Sequence, residues 1–156
     1  VVEPSVAMGV LVHEAHQGER ANGIGVSRDI LDPIRSDIYY FNLQIGEAGV
    51  VQPAPGVTSA QLIWRWGRTP RVMVHALSSL PGGGQVFTEP EVEVAACTLR
   101  AIHDYFRPRI DPTGANRWFA MEIEIKLIGA ERALRVKQAR PYSFGDGDRP
   151  VDCREF

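Results

Sequence analysis

The sequence predicts an α+β domain, an antiparallel-rich sheet with helices packed on one face. Three observations predict it. Residues 119–127 alternate without a slip: Phe119, Met121, Ile123, Ile125 and Leu127 fall on one side, and Ala120, Glu122, Glu124 and Lys126 on the other. That is the period of a half-buried strand. Residues 88–106 carry a helix start signal followed by an apolar stripe. Strand-like runs come first, helices next and a hairpin last, which is an α+β order rather than a regular β-α-β repeat.

Composition bounds the classes. With 156 residues, 44% apolar and 23% charged, the chain is long enough for one domain with a core and has an ordinary globular make-up. The net charge of -2 gives no broad basic field for nucleic acid or an anionic membrane surface. No apolar run approaches membrane-spanning length. The first ten residues, VVEPSVAMGV, lack a basic leader before their apolar run, so they do not read as a secretory signal. Cys97 and Cys153 are too few and too far apart for a disulfide scaffold or a zinc site. These features point to a reducing cytoplasm. A strand pattern begins within the first few residues with no lead-in, which reads as a piece of a longer chain.

Taken in order, residues 6–13 (VAMGVLVH) read as a buried strand rich in β-branched residues. His13 and His16 flank a polar loop without a third metal ligand, and read as solvent-exposed. Residues 18–22 form a turn and 23–27 (GIGVS) a short strand, where Gly23 and Gly25 permit close packing or approach of a ligand. Residues 38–45 (IYYFNLQI) form a strand dense in aromatic and β-branched residues. Thr58 or Ser59 is placed to cap a short helix reaching Trp66. The Trp64-Arg65-Trp66-Gly67-Arg68 patch reads as a packing anchor, with base stacking as the other use of such a pattern. Residues 81–84 (PGGG) make a flexible loop, and no GxxxxGK[ST] loop exists anywhere.

Thr88 is the expected N-cap of the long helix, with Glu91 completing a capping box and Pro90 in the first turn. Its expected buried stripe is Val94, Cys97, Ala101 and Tyr105, widened by Leu99, Ile102 and Phe106. Cys97 then acts as a small buried hydrophobe and His103 faces solvent. Pro108 is expected to end the helix. Residues 112–114 form a turn. After Pro141 the chain turns polar and glycine-rich, and 143–156 read as a tail.

The hairpin at 119–142 fixes a register. A turn centred on Glu131 sets Glu124 opposite Gln138 and Glu122 opposite Arg140, all on one face. Two carboxylates and an amide oxygen suit a magnesium ion, and a guanidinium fork suits a phosphate. A solvated face with cross-strand ion pairs is the other use of the same residues.

The segments MEIEIK and VKQARPY resemble the end of the ATP-grasp nucleotide-binding domain in the phosphoenolpyruvate synthase and pyruvate phosphate dikinase family. That family's pattern there is Asp-Ile-Glu, a short hairpin, then Gln-Ala-Arg-Pro or Gln-Thr-Arg. ERANGIGVSRD is similar to its Gly-Val-x-Phe-Thr-Arg-Asn segment, and IYYFNLQIGEAGVV to its Asn-x-Gln-x-Gly-Glu-x-Val-Val. The resemblance implies that residues 1–142 are the second half of an ATP-grasp domain. It implies Glu124 as a magnesium ligand and Gln138 as reaching the metal or the phosphates, with Glu122 as a further carboxylate where the family usually has Asp. It implies that Arg140 holds the transferring phosphoryl group, that Glu47 faces the nucleotide cleft, and that Met8, Gly9 and Val10 form the hinge reading adenine.

The implied cofactors are ATP and magnesium. The implied reaction passes a phosphoryl group to a carrier histidine and then to pyruvate. The implied partners are an N-terminal ATP-grasp half that brings a lysine and an arginine, and a phosphohistidine domain. No carrier motif surrounds His13, His16, His75 or His103. These residues alone are therefore expected to be inactive. Relatives using glucan or antibiotic acceptors would share this half. The competing class is a non-catalytic interaction module whose hairpin holds an ion pair between Glu122 and Arg140.

Overall fold

The structure, a computed structural model, describes residues 18–144. The expected strand at 6–13, its hinge residues Met8, Gly9 and Val10, the two histidines His13 and His16, and Cys153 lie outside the described residues. The fold is α+β: one six-stranded sheet, antiparallel at every pairing, carries one long helix on one face. The strands are β1 (Glu19–Val26), β2 (Ile38–Ile45), β3 (Ala60–Arg65), β4 (Val72–Ala76), β5 (Ala120–Ile128) and β6 (Ala133–Tyr142), and the helix is α1 (Glu89–Ile110). Their order across the sheet is β4-β3-β2-β1-β5-β6, so the β5–β6 hairpin is added beside β1. Among the described residues, no helix is long and apolar enough to cross a membrane.

The core lies between α1 and the sheet. Phe41 and Leu43 of β2, Leu62 and Trp64 of β3, and Met121, Ile123, Ile125 and Leu127 of β5 meet Val92, Ala95, Ala96 and Leu99 of the helix. The alternation in β5 therefore does what its period demands. Gly25 explains the close approach of the layers: a Cβ there would stand 2.6 Å from the Phe41 ring and 3.3 Å from Leu99 Cδ2. Its absence admits both side chains over β1. Trp64 is buried and meets the edge of Trp66 with ring centroids 5.6 Å apart, so the tryptophans anchor packing as expected. A smaller apolar cluster, Ile38, Tyr40 and Ile63 with Ile30, covers part of the other face.

Several expectations are corrected. β1 starts at Glu19, so residues 19–22 belong to the strand and not to a turn. Residues 60–65 form a strand, not a helix. Thr58 does not cap: its amide donates to Ser79 Oγ at 2.9 Å and its carbonyl accepts from the Ser79 amide at 3.1 Å. AQLIWR is then apolar on both sides because Leu62 and Trp64 enter the main core while Ile63 enters the smaller one. The helix begins on the expected capping box, with the Thr88 amide donating to Glu91 Oε2 at 2.7 Å and the Glu91 amide to Thr88 Oγ1 at 3.4 Å.

The buried stripe of α1 is rotated from the expected one. Val94 and Tyr105 are 53% and 55% exposed, and Cys97 is exposed, whereas Val92, Ala95, Ala96, Leu99 and His103 are buried. Small alanines let the helix sit close to the sheet, and a search for larger apolar groups selects the wrong side. Pro108 lies inside the helix, which continues to Ile110. Proline forfeits one amide donor, but the final turn still closes, with the Asp111 amide donating to the Arg107 carbonyl at 2.8 Å.

Candidate functional site

The face of β1, β5 and β6 that lacks the helix holds a cavity of about 290 Å³. Its walls include Glu19, Asn22, Glu47, Glu124, Lys126 and Lys137. Two of the expected site residues, Glu47 and Glu124, thus share one cleft although 77 positions separate them in sequence. Glu124 is delivered by the alternation of β5 and pairs across the sheet with Ile24 and with Gln138. Glu47 is delivered by the turn after β2. Asn22 holds that turn in place, its amide donating to the carbonyls of Gly46 at 2.6 Å and Ala48 at 3.0 Å.

The hairpin register agrees with the expected one at the site: Glu124 faces Gln138 and Glu122 faces Arg140. A bulge makes this possible. Near the turn the pairs are Ile128 with Ala133 and Ile125 with Val136; beyond it they shift by one residue. Lys137 is the extra residue. Without the shift, the inward alternation of Leu134 and Val136 would carry Gln138 and Arg140 inward too. The Lys137 side chain lines the cavity wall together with Lys126.

The charges fall into two groups. In the first, the Lys126 ammonium contacts the Glu19 carboxylate. Burial, then the neighbouring Lys137 ammonium, pulls Lys126 below its ordinary value. In the second, Arg140 donates to Glu122 Oε1 from Nε at 2.8 Å and from Nη2 at 2.6 Å. The Glu122 side chain is 9% exposed and that of Arg140 57%. One edge of the guanidinium is therefore committed to a nearly buried carboxylate, and the rest faces water.

These positions test a magnesium ion. Among the described residues, Glu124 and Gln138 have no side-chain hydrogen-bond or ion-pair partner, and they are directly opposite on adjacent strands, about 5 Å apart at Cβ by normal cross-strand geometry. A carboxylate and an amide oxygen so placed fit a hard cation that takes its other ligands from water and phosphate. Glu122 fits that role less well, because its Oε1 is taken by Arg140. Among the described residues, no three His, Cys, Asp or Glu side chains converge on one point.

Glu19, Asn22, Lys126 and Lys137 were not singled out from the sequence. Lys126 could have been found, since the alternation puts it on the face of Glu124. Lys137 could have been found as well, since alternation after Leu134 and Val136 also puts it on that face. No family model matches the chain, and no curated protein matches it.

Proposed function

We propose that the chain is the second half of an ATP-grasp nucleotide-binding domain, the ATP- and magnesium-binding portion of a phosphotransferase of the phosphoenolpyruvate synthase and pyruvate phosphate dikinase kind. The observation that carries this reading is the unpartnered pair Glu124 and Gln138, directly opposite on β5 and β6, with Glu124 lining a cavity that also holds Glu47. In this reading the nucleotide lies against the helix-free face, closed from the other side by an N-terminal half. Glu124 and Gln138 hold the metal, which when bound neutralises charge on the phosphates. Arg140, oriented by Glu122, presents its exposed guanidinium edge to the transferring phosphoryl group. Lys126 and Lys137 add positive charge at the cleft wall. Such chemistry needs positioning and charge neutralisation more than covalent steps from the protein. The phosphoryl group would pass to a histidine on a separate domain and then to pyruvate, and the reaction belongs in the cytoplasm.

Calorimetry tests the reading on the 156-residue chain. The expected result is weak ATP binding that requires magnesium, with the magnesium dependence lost in Glu124→Gln and no turnover. No binding at millimolar ATP in the presence of magnesium sinks it. In a full-length protein, Arg140→Ala should lower turnover by about three to five powers of ten if Arg140 acts on the transferring group.

One observation favours a second reading, a non-catalytic interaction module: the Glu122–Arg140 pair is complete without any ligand. That reading predicts that magnesium and ATP leave the hairpin's amide resonances unmoved.

A further inference from the structure

On the opposite face of the sheet, beside the C-terminal half of α1, lies a second cavity of about 260 Å³. Three arginines line it, Arg28, Arg100 and Arg107, together with His103. Two carboxylates line it as well, but both are engaged. Asp104 pairs with Arg100 at 3.8 Å, and Asp37 with Arg35 at 3.3 Å and Arg68 at 3.9 Å. Arg28 and Arg107 have no carboxylate partner among the described residues.

Arg28 is the unusual member. It is only 4% exposed. Two backbone carbonyls fix it: Nη1 donates to Pro33 O at 2.7 Å and Nε to Phe119 O at 3.4 Å. Its Nη2 makes no hydrogen bond among the described residues. A buried cation with oriented donors and no counter-charge is costly unless an anion completes it. Three guanidinia against two carboxylates leave the lining with a net positive charge. Burial, then the charge of Arg107, lowers Arg28 from its ordinary value; His103 is lowered by burial, with Asp104 opposing and Arg107 and Arg28 adding to it.

We propose that this cavity binds a small phosphate-type oxyanion between the guanidinia of Arg28 and Arg107. Paired planar forks match tetrahedral oxyanions and shed water more readily than ammonium groups do. The site is independent of the cleft on the other face and does not rest on the reading of that cleft.

The experiment is a titration of the full chain with inorganic phosphate, followed by amide resonances. Saturable shifts are expected at Ser27, Arg28, His103 and Arg107. Arg107→Ala, at a half-exposed position where the helix should tolerate it, is expected to weaken the binding about tenfold or more, the loss of one or two charge-assisted bonds. Arg140→Ala, on the opposite face, should leave those shifts unchanged. Absence of saturable shifts at Arg28 and His103 overturns the proposal. So does binding that survives Arg107→Ala, or phosphate that shifts only Lys126 and Lys137 and is lost in Arg140→Ala.

Discussion

Substituting the two members of the hairpin ion pair should have unequal consequences. Arg140→Ala leaves the Glu122 carboxylate, 9% exposed, without the two donors that now reach it at 2.6 and 2.8 Å. A hydrogen bond to a charged group contributes about 1.5–3 kcal/mol, and an exposed ion pair about 0–1. The guanidinium is 57% exposed and water can replace part of what it supplies, so the cost should be about 1–2 kcal/mol. Glu122→Gln keeps an oxygen acceptor and frees an arginine that is already largely in water; it should cost about 0.5 kcal/mol or less. The double variant Glu122→Gln/Arg140→Ala should then be more stable than Arg140→Ala alone, because no buried charge is left unpaired. Urea denaturation of the four proteins reads all three quantities. Equal costs for the two single substitutions, or a double variant no more stable than Arg140→Ala, would refute the reasoning. The series also separates function from folding: ATP binding that depends on Arg140 should stay lost in the double variant while stability returns.

Three further outcomes follow from the same structure. Thr88→Ala should cost about 1 kcal/mol as a lost cap, and Glu91→Ala about 2, because Glu91 also accepts from Arg132 Nε at 2.6 Å and Nη2 at 3.1 Å; urea midpoints rank them. Gly25→Ala should cost about 1–3 kcal/mol, since the new methyl meets Phe41 and Leu99, both fully buried; a neutral result there would mean the layers can separate freely. His103 has its value lowered from 6.5 by burial, so the unfolded chain takes up a proton first as pH falls. Its contribution to stability is therefore present above pH 6.5 and declines as pH drops below it toward the lowered value. His103→Asn should flatten the stability profile just below pH 6.5, above the range in which carboxylates titrate, and an unchanged slope there would exclude His103 as the source.

What was legible in the sequence was whatever one strand or one helix end decides alone. Residues 38–45 and 119–127 announced themselves by composition and period, and Thr88 with Glu91 marked the helix start. The misplaced elements depend on partners. AQLIWR has apolar side chains on both faces because both sides of β3 are covered, so its period of two is hidden and Thr58 looked like a cap. The side of α1 that packs is set by Ala95 and Ala96 lying against the sheet, and size alone favoured Val94 and Tyr105. His103 reads as solvent-facing because it is polar and falls off the expected stripe of Val94, Cys97, Ala101 and Tyr105; its hydrogen bond of 2.8 Å to Ser27 Oγ, 76 residues away, is invisible in the sequence.

The site shows the same division more sharply. A hairpin that alternated strictly from its turn would have paired Glu124 with Lys137 and sent Gln138 and Arg140 into the core beside Ile123 and Met121. The bulge at Lys137 reverses that, letting Leu134 and Val136 face inward on one side of it and Ala139 and Pro141 meet Ile123 and Met121 on the other. Setting the turn's centre at Glu131 gave the right partners at the far end only because it absorbed the extra residue. The chemistry of the open face is thus tied to one local irregularity. It places an amide beside Glu124 and a guanidinium beside Glu122. A regular ladder of the same letters would keep Lys137 on that side and turn both Gln138 and Arg140 inward.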